Sequence, residues 1–279
     1  MPAQIFTLLI ITIFFSSCTS DEQIDVSYAL QSDKIIYNEA MNLLKIKKYE
    51  EAHEIFTELD LQHPYSKWAT KGQLMSGFSL YKANKYDEAV FVFEKFINLN
   101  PNSPNLDYAH YLRGFCYYER MSQVSRDQKL AQKALESFVE LRNRFPKSKY
   151  SKKARNHISL LNNQLAGKEI SVGKFYQSKG KYLSGILRYK TVIKTYKNSA
   201  QVPEAIYRII ESYIALGLNS QASTLTSILK YNFPNSIWFS SAISLLRNEK
   251  IYYNNLKKDK GDKLLDLKNI NFDEFLLTQ

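Results

Sequence analysis

Histidine and glycine-lysine positions are the first places to look for chemistry in this sequence. The four histidines are His53, His63, His110 and His157, and no two are three or four residues apart, the spacing that puts two metal-binding imidazoles on one helix face. Gly-Lys occurs at Gly167, Gly173 and Gly180, without the preceding glycine and following Ser or Thr of a phosphate-binding loop. A nucleophile elbow is also missing. We therefore expect no enzyme activity, no metal and no cofactor.

Cys18 carries the one chemical modification that the sequence predicts. An apolar run at residues 5–15 precedes it and is too short for the roughly 20 residues that span a bilayer. The small residues Ser16 and Ser17 then lead into Cys18, which resembles a bacterial lipobox, although Phe15 stands where leucine is usual. An acylated Cys18 would hold the chain on a membrane, and Thr19 after it favours the outer membrane. The alternative is ordinary signal cleavage near Ser17.

Composition and charge describe the chain that follows. With 44% apolar residues, 14% aromatics and nine glycines, we expect a compact body of regular structure. Cys116 would have no disulfide partner and is predicted to be a small buried hydrophobe. The net charge of +11 suits an anionic membrane or acidic partners. Nucleic acid would also suit this charge, but a lipoprotein outside the cytoplasm has little access to it.

Five short words that end in serine repeat along the chain and indicate helix junctions. They are residues 63–66 (HPYS), 100–103 (NPNS), 145–148 (FPKS), 196–199 (YKNS) and 233–236 (FPNS). Proline ends a helix, and serine caps the next one by accepting a hydrogen bond from a free backbone N–H. Each word should therefore end one helix and begin another, with Pro104 in the first helical turn after the second word.

A small residue followed four positions later by an aromatic lies at a fixed distance before each word. The pairs are Ala52/Phe56, Ala89/Phe93, Ala134/Phe138 and Gly185/Tyr189, with a weaker fifth at Ala222/Thr226. This order resembles the tetratricopeptide (TPR) consensus, in which the small residue lets two helices approach and the aromatic fills the gap between neighbouring hairpins. The sequence therefore predicts an all-α, TPR-like solenoid of five helical hairpins.

Unequal spacing between the words predicts the domain organisation. Extra residues after the third hairpin keep a three-and-four apolar spacing, which predicts a long helix over residues 151–178 joining three N-terminal units to two C-terminal units. Residues 122–127 are predicted to form a surface loop. The predicted segments are a signal peptide (1–17), a lipidated linker (18–31), TPR units 1–3 (32–150), the long helix with units 4–5 (151–246) and a charged tail (247–279).

Two segments resemble the BamD family, the lipoprotein subunit of the β-barrel assembly machinery in Gram-negative outer membranes. The first is residues 99–114 (LNPNSPNLDYAHYLRG); the second runs from residues 142–150 (RNRFPKSKY) through 171–176 (SVGKFY) to 179–182 (KGKY). The similarity covers residues 36–239 and the lipobox. It implies a periplasmic five-TPR protein bound to the POTRA domains of BamA and to other subunits, which helps receive unfolded outer-membrane proteins through their C-terminal strands.

A peptide groove is predicted on the first helices of the hairpins, which line the concave face in TPR proteins. Its candidate residues are Tyr37, Phe78, Tyr81, Tyr108, Tyr111, Phe115 and Tyr118, with Lys45 and Lys82 beside them. Rigid aromatic surface and positive charge suit an extended peptide that ends in an aromatic residue and a carboxylate. The alternative is that these rings only pack one hairpin on the next.

A basic region follows the third hairpin and is a candidate docking face. Residues 142–155 hold seven Lys or Arg and no acid, and residues 168–197 hold eight against Glu169 alone. The resemblance singles out Arg188 as a contact for an acidic patch on the barrel subunit, with Arg155 and Lys181 as further candidates. A solvated helix surface is the alternative. For the whole chain, a scaffold lipoprotein that organises peptidoglycan or division factors also stays open.

Overall fold

The computed structural model describes residues 32–121 and 128–249, and within these ranges the chain forms eleven α-helices and no strand. The helices are α1 Asp33–Lys45, α2 Tyr49–Gln62, α3 Lys67–Lys82, α4 Tyr86–Leu99, α5 Leu106–Glu119, α6 Lys129–Arg144, α7 Lys149–Ser178, α8 Tyr182–Thr195, α9 Val202–Ala215, α10 Asn219–Asn232 and α11 Ile237–Asn248. The predicted signal peptide, Cys18, the linker, the loop at 122–127 and most of the tail lie outside the described residues.

Consecutive helices pair into five antiparallel hairpins, α1/α2 to α9/α10, and α11 packs on the last of them. The predicted all-α TPR-like solenoid is therefore confirmed. The 30-residue helix α7 packs its first half on the third hairpin and pairs with α8 through its second half, so one helix belongs to both groups of hairpins. Helix α11 extends two residues beyond the predicted start of the tail.

Serine caps explain where α3, α7 and α11 begin. The hydroxyl oxygens of Ser66, Ser148 and Ser236 accept hydrogen bonds from the backbone N–H groups of residues 68, 150 and 238 at 3.0, 3.0 and 3.2 Å. The predicted helix junctions at these words are correct. The position of Pro104 differs from the prediction, because residues 100–105 form turns and α5 begins only at Leu106.

Two of these serines also form a hydrogen bond to the first helix of the preceding hairpin. Ser66 donates its hydroxyl proton to the carboxylate of Asp33 in the first turn of α1, and this hydrogen bond is the main cause of the lowered pKa of Asp33. Ser148 donates in the same way to Asp107 Oδ2 of α5, at 2.6 Å. A hydroxyl can donate and accept at once, so one serine caps its own helix and ties it to the one before.

Glycine packed against an aromatic ring sets the distance between the two helices of a hairpin. A Cβ atom added to Gly77, Gly114 or Gly173 would lie 2.6, 2.8 or 2.4 Å from the ring of Phe93, Phe138 or Tyr189, respectively. The ring therefore lies inside its own hairpin, and not only between neighbouring hairpins as the repeat pattern suggests. In the fifth hairpin, Ile210 stands at the position of the glycine and Thr226 at the position of the ring, and both are fully buried. The larger side chain of this pair is therefore on the first helix, not on the second.

The direction in which the solenoid curves follows from the contacts between helices of successive hairpins. The first helices of successive hairpins pack directly on one another, α1 on α3, α3 on α5, α5 on α7 and α7 on α9. The second helices show no comparable packing among the described residues. A stack that is closer on one side bends toward that side, so the first helices line the concave wall and the second helices form the outer wall.

Two glycines of α7 provide a test of the ring contact. We expect Gly173→Ala to lower the free energy of unfolding by about 1–3 kcal/mol, because its methyl group would collide with the Tyr189 ring. Gly167 has no atom within 4 Å of an added Cβ, so Gly167→Ala should instead raise stability by about 0.5–1 kcal/mol. Urea denaturation of both variants measures these changes, and a loss of the same size in both would contradict the assignment.

Candidate peptide groove and docking face

The concave wall carries a continuous aromatic surface built from α3, α5 and α7. Tyr81 of α3 lies 6.1 Å from Phe115 of α5 between ring centroids, and Phe78 lies 6.5 Å from Tyr108. Along α5, Phe115 neighbours Tyr111 at 5.7 Å and Tyr118 at 5.8 Å. Six of the seven predicted groove aromatics therefore form one set of ring contacts, which we call the aromatic wall.

Tyr37, the seventh predicted aromatic, belongs to another cluster. Its ring contacts Phe56 of α2 at 5.6 Å and Trp68 of α3 at 4.8 Å between centroids. These contacts fasten α1 to the next hairpin. Tyr37 therefore lies outside the aromatic wall, and its place in a peptide groove stays a prediction.

Helix α7 completes the aromatic wall with two residues that the sequence analysis does not identify. The ring of Tyr150 stacks on Tyr108 at 4.7 Å and lies 5.4 Å from Tyr111. The imidazole of His157 lies edge-on to Tyr118 at 4.8 Å and to Phe115 at 5.2 Å. Seven residues separate Tyr150 from His157, about two helical turns, so both occupy one face of α7. That spacing is the signal that could have found them.

Two lysine side chains lie beside the aromatic wall at the start of α7. The ammonium groups of Lys149 and Lys153 lie 5.0 and 5.9 Å from the centroid of the Tyr150 ring. Both side chains are exposed, and neither has a carboxylate partner among the described residues. The predicted lysines, Lys45 and Lys82, are exposed at the last residues of α1 and α3, where those helices end at the other edge of the solenoid.

Three tyrosine hydroxyls of the wall, those of Tyr81, Tyr108 and Tyr111, are neutral donors. Burial raises the pKa of Tyr108 to about 12 and also raises the pKa values of Tyr81 and Tyr111. These groups therefore stay protonated at any physiological pH. A half-buried aromatic surface with hydroxyl donors and a cationic end can hold apolar side chains and an anionic terminus.

The candidate docking residues lie along α7 and α8. The guanidinium of Arg188 is 3.3 Å from the Glu169 carboxylate and half exposed, whereas Arg155 and Lys181 are exposed on the surface. Beside Arg188, Leu183 and Leu187 are 68% and 63% exposed and one turn apart on α8. The sequence analysis does not identify these leucines, since alternating apolar and basic residues on a helix resemble ordinary core and surface positions.

An ionic cluster around the buried His110 joins α5 to α6. Glu140 accepts hydrogen bonds from Arg113 at 2.6 Å and Arg144 at 3.2 Å, and His110 lies 3.7 Å from the same carboxylate. His110 is fully buried, and burial lowers its pKa to about 4. The two arginines and the histidine together lower the pKa of Glu140, although burial of that carboxyl opposes them. The Arg113–Glu140 contact ties α5 to α6.

This histidine predicts a dependence of stability on acidity. Between pH 6.5 and about 4 the unfolded chain binds a proton at His110 that the folded protein does not, so stability should fall as the pH drops through this window. His110→Gln should therefore make the thermal midpoint depend less on pH between 7 and 5. His53 and His157, whose pKa values burial also lowers, would keep part of the dependence. An unchanged dependence would show that His110 does not titrate in this way.

Within residues 32–121 and 128–249, no group of three or more His, Cys, Asp or Glu could hold a metal ion. None of the helices described there combines the length and apolar character that crossing a membrane requires. Cys116 is fully buried, and burial raises the pKa of its thiol to about 12.

Comparison with known proteins identifies the family. Residues 30–228 match the family model described as outer membrane lipoprotein (YfiO). The chain is 38% identical over 241 residues to the outer membrane protein assembly factor BamD of Rickettsia prowazekii, covering 86% of this chain and 95% of that one. It is 37% identical over 215 residues to BamD of Caulobacter vibrioides, covering 77% and 70%, and 30% identical over 240 residues to BamD of Neisseria meningitidis, covering 81% and 90%.

Among solved structures, the TPR2AB domain of yeast Sti1 in complex with an Hsp90 peptide overlays with a TM-score of 0.39 and 14% identity, covering 78% of this chain and 86% of that chain. At this TM-score the overlay adds nothing to the hairpin contacts described above. The family match and the high coverage by curated relatives are decisive. The chain belongs to the BamD family of outer membrane protein assembly factors.

Proposed function

We propose that this protein is a non-enzymatic adaptor of the outer-membrane β-barrel assembly complex. On this proposal, a lipid at Cys18 holds it at the periplasmic face, BamA and other subunits dock on its basic half, and the aromatic wall receives unfolded barrel proteins. The aromatic wall is the observation that carries the substrate-binding part: six aromatic rings of α3 and α5 are extended by Tyr150 and His157 of α7.

The chemistry of the wall suits the C-terminal end of an unfolded chain. Rigid aromatic side chains give contact area at low entropic cost, and they accept an apolar or aromatic side chain without changing rotamers. A terminal carboxylate is the one charge that every such peptide end carries. Lys149 and Lys153 lie beside Tyr150 without carboxylate partners among the described residues, so they are free to bind that carboxylate.

Removal of a ring from the wall should weaken peptide binding. We expect Tyr111→Ala or Tyr150→Ala to raise the Kd for a peptide ending in phenylalanine by about 10- to 30-fold, the effect of losing one well-packed aromatic contact. Fluorescence anisotropy with the full chain measures this. The matched control is Phe91→Ala, since Phe91 is a 69% exposed aromatic on the outer helix α4. Equal losses for Phe91→Ala and Tyr111→Ala would remove the groove from the proposal.

The terminal carboxylate can be tested separately from the rings. Lys149→Gln with Lys153→Gln should weaken a peptide that has a free carboxylate but not the same peptide with an amidated C-terminus. The ratio of the two affinities isolates the charge interaction from any general effect on the groove. If the double variant weakens both peptides equally, the lysines do not bind the carboxylate.

Docking on the basic half is proposed for Arg188, Arg155 and Lys181, with the exposed Leu183 and Leu187 as apolar contacts beside them. Reversal of charge by Arg188→Glu should reduce recovery of BamA in affinity purification from membranes by at least about tenfold, because a rim charge facing an acidic patch becomes repulsive. Lys48→Glu is the control: Lys48 is also exposed and ion-paired, with Glu51 at 2.9 Å, but it lies in the first hairpin. Recovery of peptidoglycan or division enzymes without BamA would favour the scaffold alternative.

Lipid attachment at Cys18 can be tested by replacing the cysteine. Cys18→Ala should move the protein from the membrane fraction to the soluble periplasmic fraction, since no acyl chain would remain to hold it. A variant that still sediments with membranes after a salt wash would show that another contact is the main attachment.

A further inference from the structure

The loops that join successive hairpins lie along one edge of the solenoid, where each second helix ends and the next first helix begins. Four large apolar side chains are exposed at the N-terminal end of this edge: Ile35, Leu61, Tyr65 and Leu99, at 54%, 78%, 101% and 61%. Single exposed apolar residues are ordinary on any protein. These four come from neighbouring helix ends, and we call them the N-terminal edge.

Hydrogen bonds bring the backbone segments of the N-terminal edge together. Ser66, next to Tyr65, donates to Asp33 at the start of α1, two residues before Ile35. The amide of Gln73 donates to Asp60 at 2.6 Å and accepts from Asn100 at 2.8 Å. Asp60 precedes Leu61 and Asn100 follows Leu99, so one glutamine side chain joins the two helix ends that carry these leucines.

Two lysines without a carboxylate partner among the described residues lie on the N-terminal edge. They are Lys34 and Lys67, and both are exposed. The nearby carboxylates keep their negative charge but already have partners: Asp33 accepts from Ser66, Asp60 from Gln73 and from Lys95 at 3.3 Å, and Glu58 from Gln62. Exposed apolar side chains flanked by free lysines are the combination that binds anionic lipid surfaces, where the apolar groups enter the interface and the ammonium groups contact headgroups.

The path of the chain favours a membrane as the partner. Helix α1 begins at this edge, and only about fourteen residues separate Cys18 from Ser32. Fourteen residues span at most roughly 50 Å when fully extended, so a lipid on Cys18 would keep the edge within reach of the bilayer. We propose that the N-terminal edge rests on an anionic lipid surface and fixes the orientation of the solenoid, an inference that depends on the proposed lipid tether.

A fluorescent reporter placed beside the edge tests this contact. The lipidated full chain carrying Gln62→Cys is labelled with an environment-sensitive dye and reconstituted into vesicles of phosphatidylethanolamine and phosphatidylglycerol. Native Cys116 escapes labelling because it is fully buried. The matched control is a label at Ile46→Cys, because Ile46 is 64% exposed in the α1/α2 turn at the opposite edge.

The expected result is a blue-shifted emission at position 62 that spin-labelled lipids quench, with neither effect at position 46. Leu61→Ser with Tyr65→Ser should abolish the shift while the protein still floats with the vesicles. Flotation without a difference between positions 62 and 46, or a shift that survives the double substitution, would overturn the edge contact and leave the tether intact. A shift of equal size on phosphatidylcholine vesicles would overturn the anionic preference. Failure to float would overturn the edge and the tether together.

Discussion

The close contact between a glycine and an aromatic ring inside a hairpin is the constraint on which the architecture depends. With no Cβ, Gly77, Gly114 and Gly173 let the ring of the second helix lie against the backbone of the first. The helix pair is thereby held at one distance, and the neighbouring first helices approach one another along the inner wall. A curved wall of first helices is in turn what gathers side chains from α3, α5 and α7 into one aromatic surface.

Helix α7 takes part in both the aromatic wall and the proposed docking face. Its first turns provide Tyr150 and His157 to the aromatic wall, and its last turns hold Gly173 under Tyr189 and pair with the helix that carries Arg188. The buried side chains from α6 to α11 form one continuous core across this helix. The N-terminal and C-terminal groups of hairpins are therefore joined by packing as well as by the chain, and no hinge interrupts α7.

The repeat architecture was predictable because its signals are local. Proline and serine at a helix junction act on their own backbone, so the words around Ser66, Ser148 and Ser236 mark helix starts without knowledge of the fold. The inner-wall aromatics of α3 and α5 were predictable because they recur in register with the repeat.

What the sequence missed depends on contacts between distant segments. Tyr150 and His157 lie in the first half of α7, ahead of the fourth repeat unit, so the repeated pair of a small residue and an aromatic does not mark them. Tyr37 has the spacing of a groove residue, but Trp68 covers it from the next hairpin. The exposure of Leu183 and Leu187 depends on what packs against α8, which a periodic pattern cannot reveal. The larger side chain of the fifth hairpin is Ile210 on its first helix, and only the packing of the two helices shows that it makes up for the small Thr226 on the second.

An uninterrupted α7 fixes not only how far apart the two regions are but also their relative direction. From Tyr150 to Gly173 the helix rises by roughly 35 Å, and each residue turns the chain by about 100° around the axis. Loss or gain of a single residue in this rod would shorten or lengthen it by only about 1.5 Å, yet would swing everything beyond by more than a quarter turn. Evolution of this helix is therefore expected to tolerate changes of side chain far better than changes of length, except in steps that restore the phase, such as seven residues.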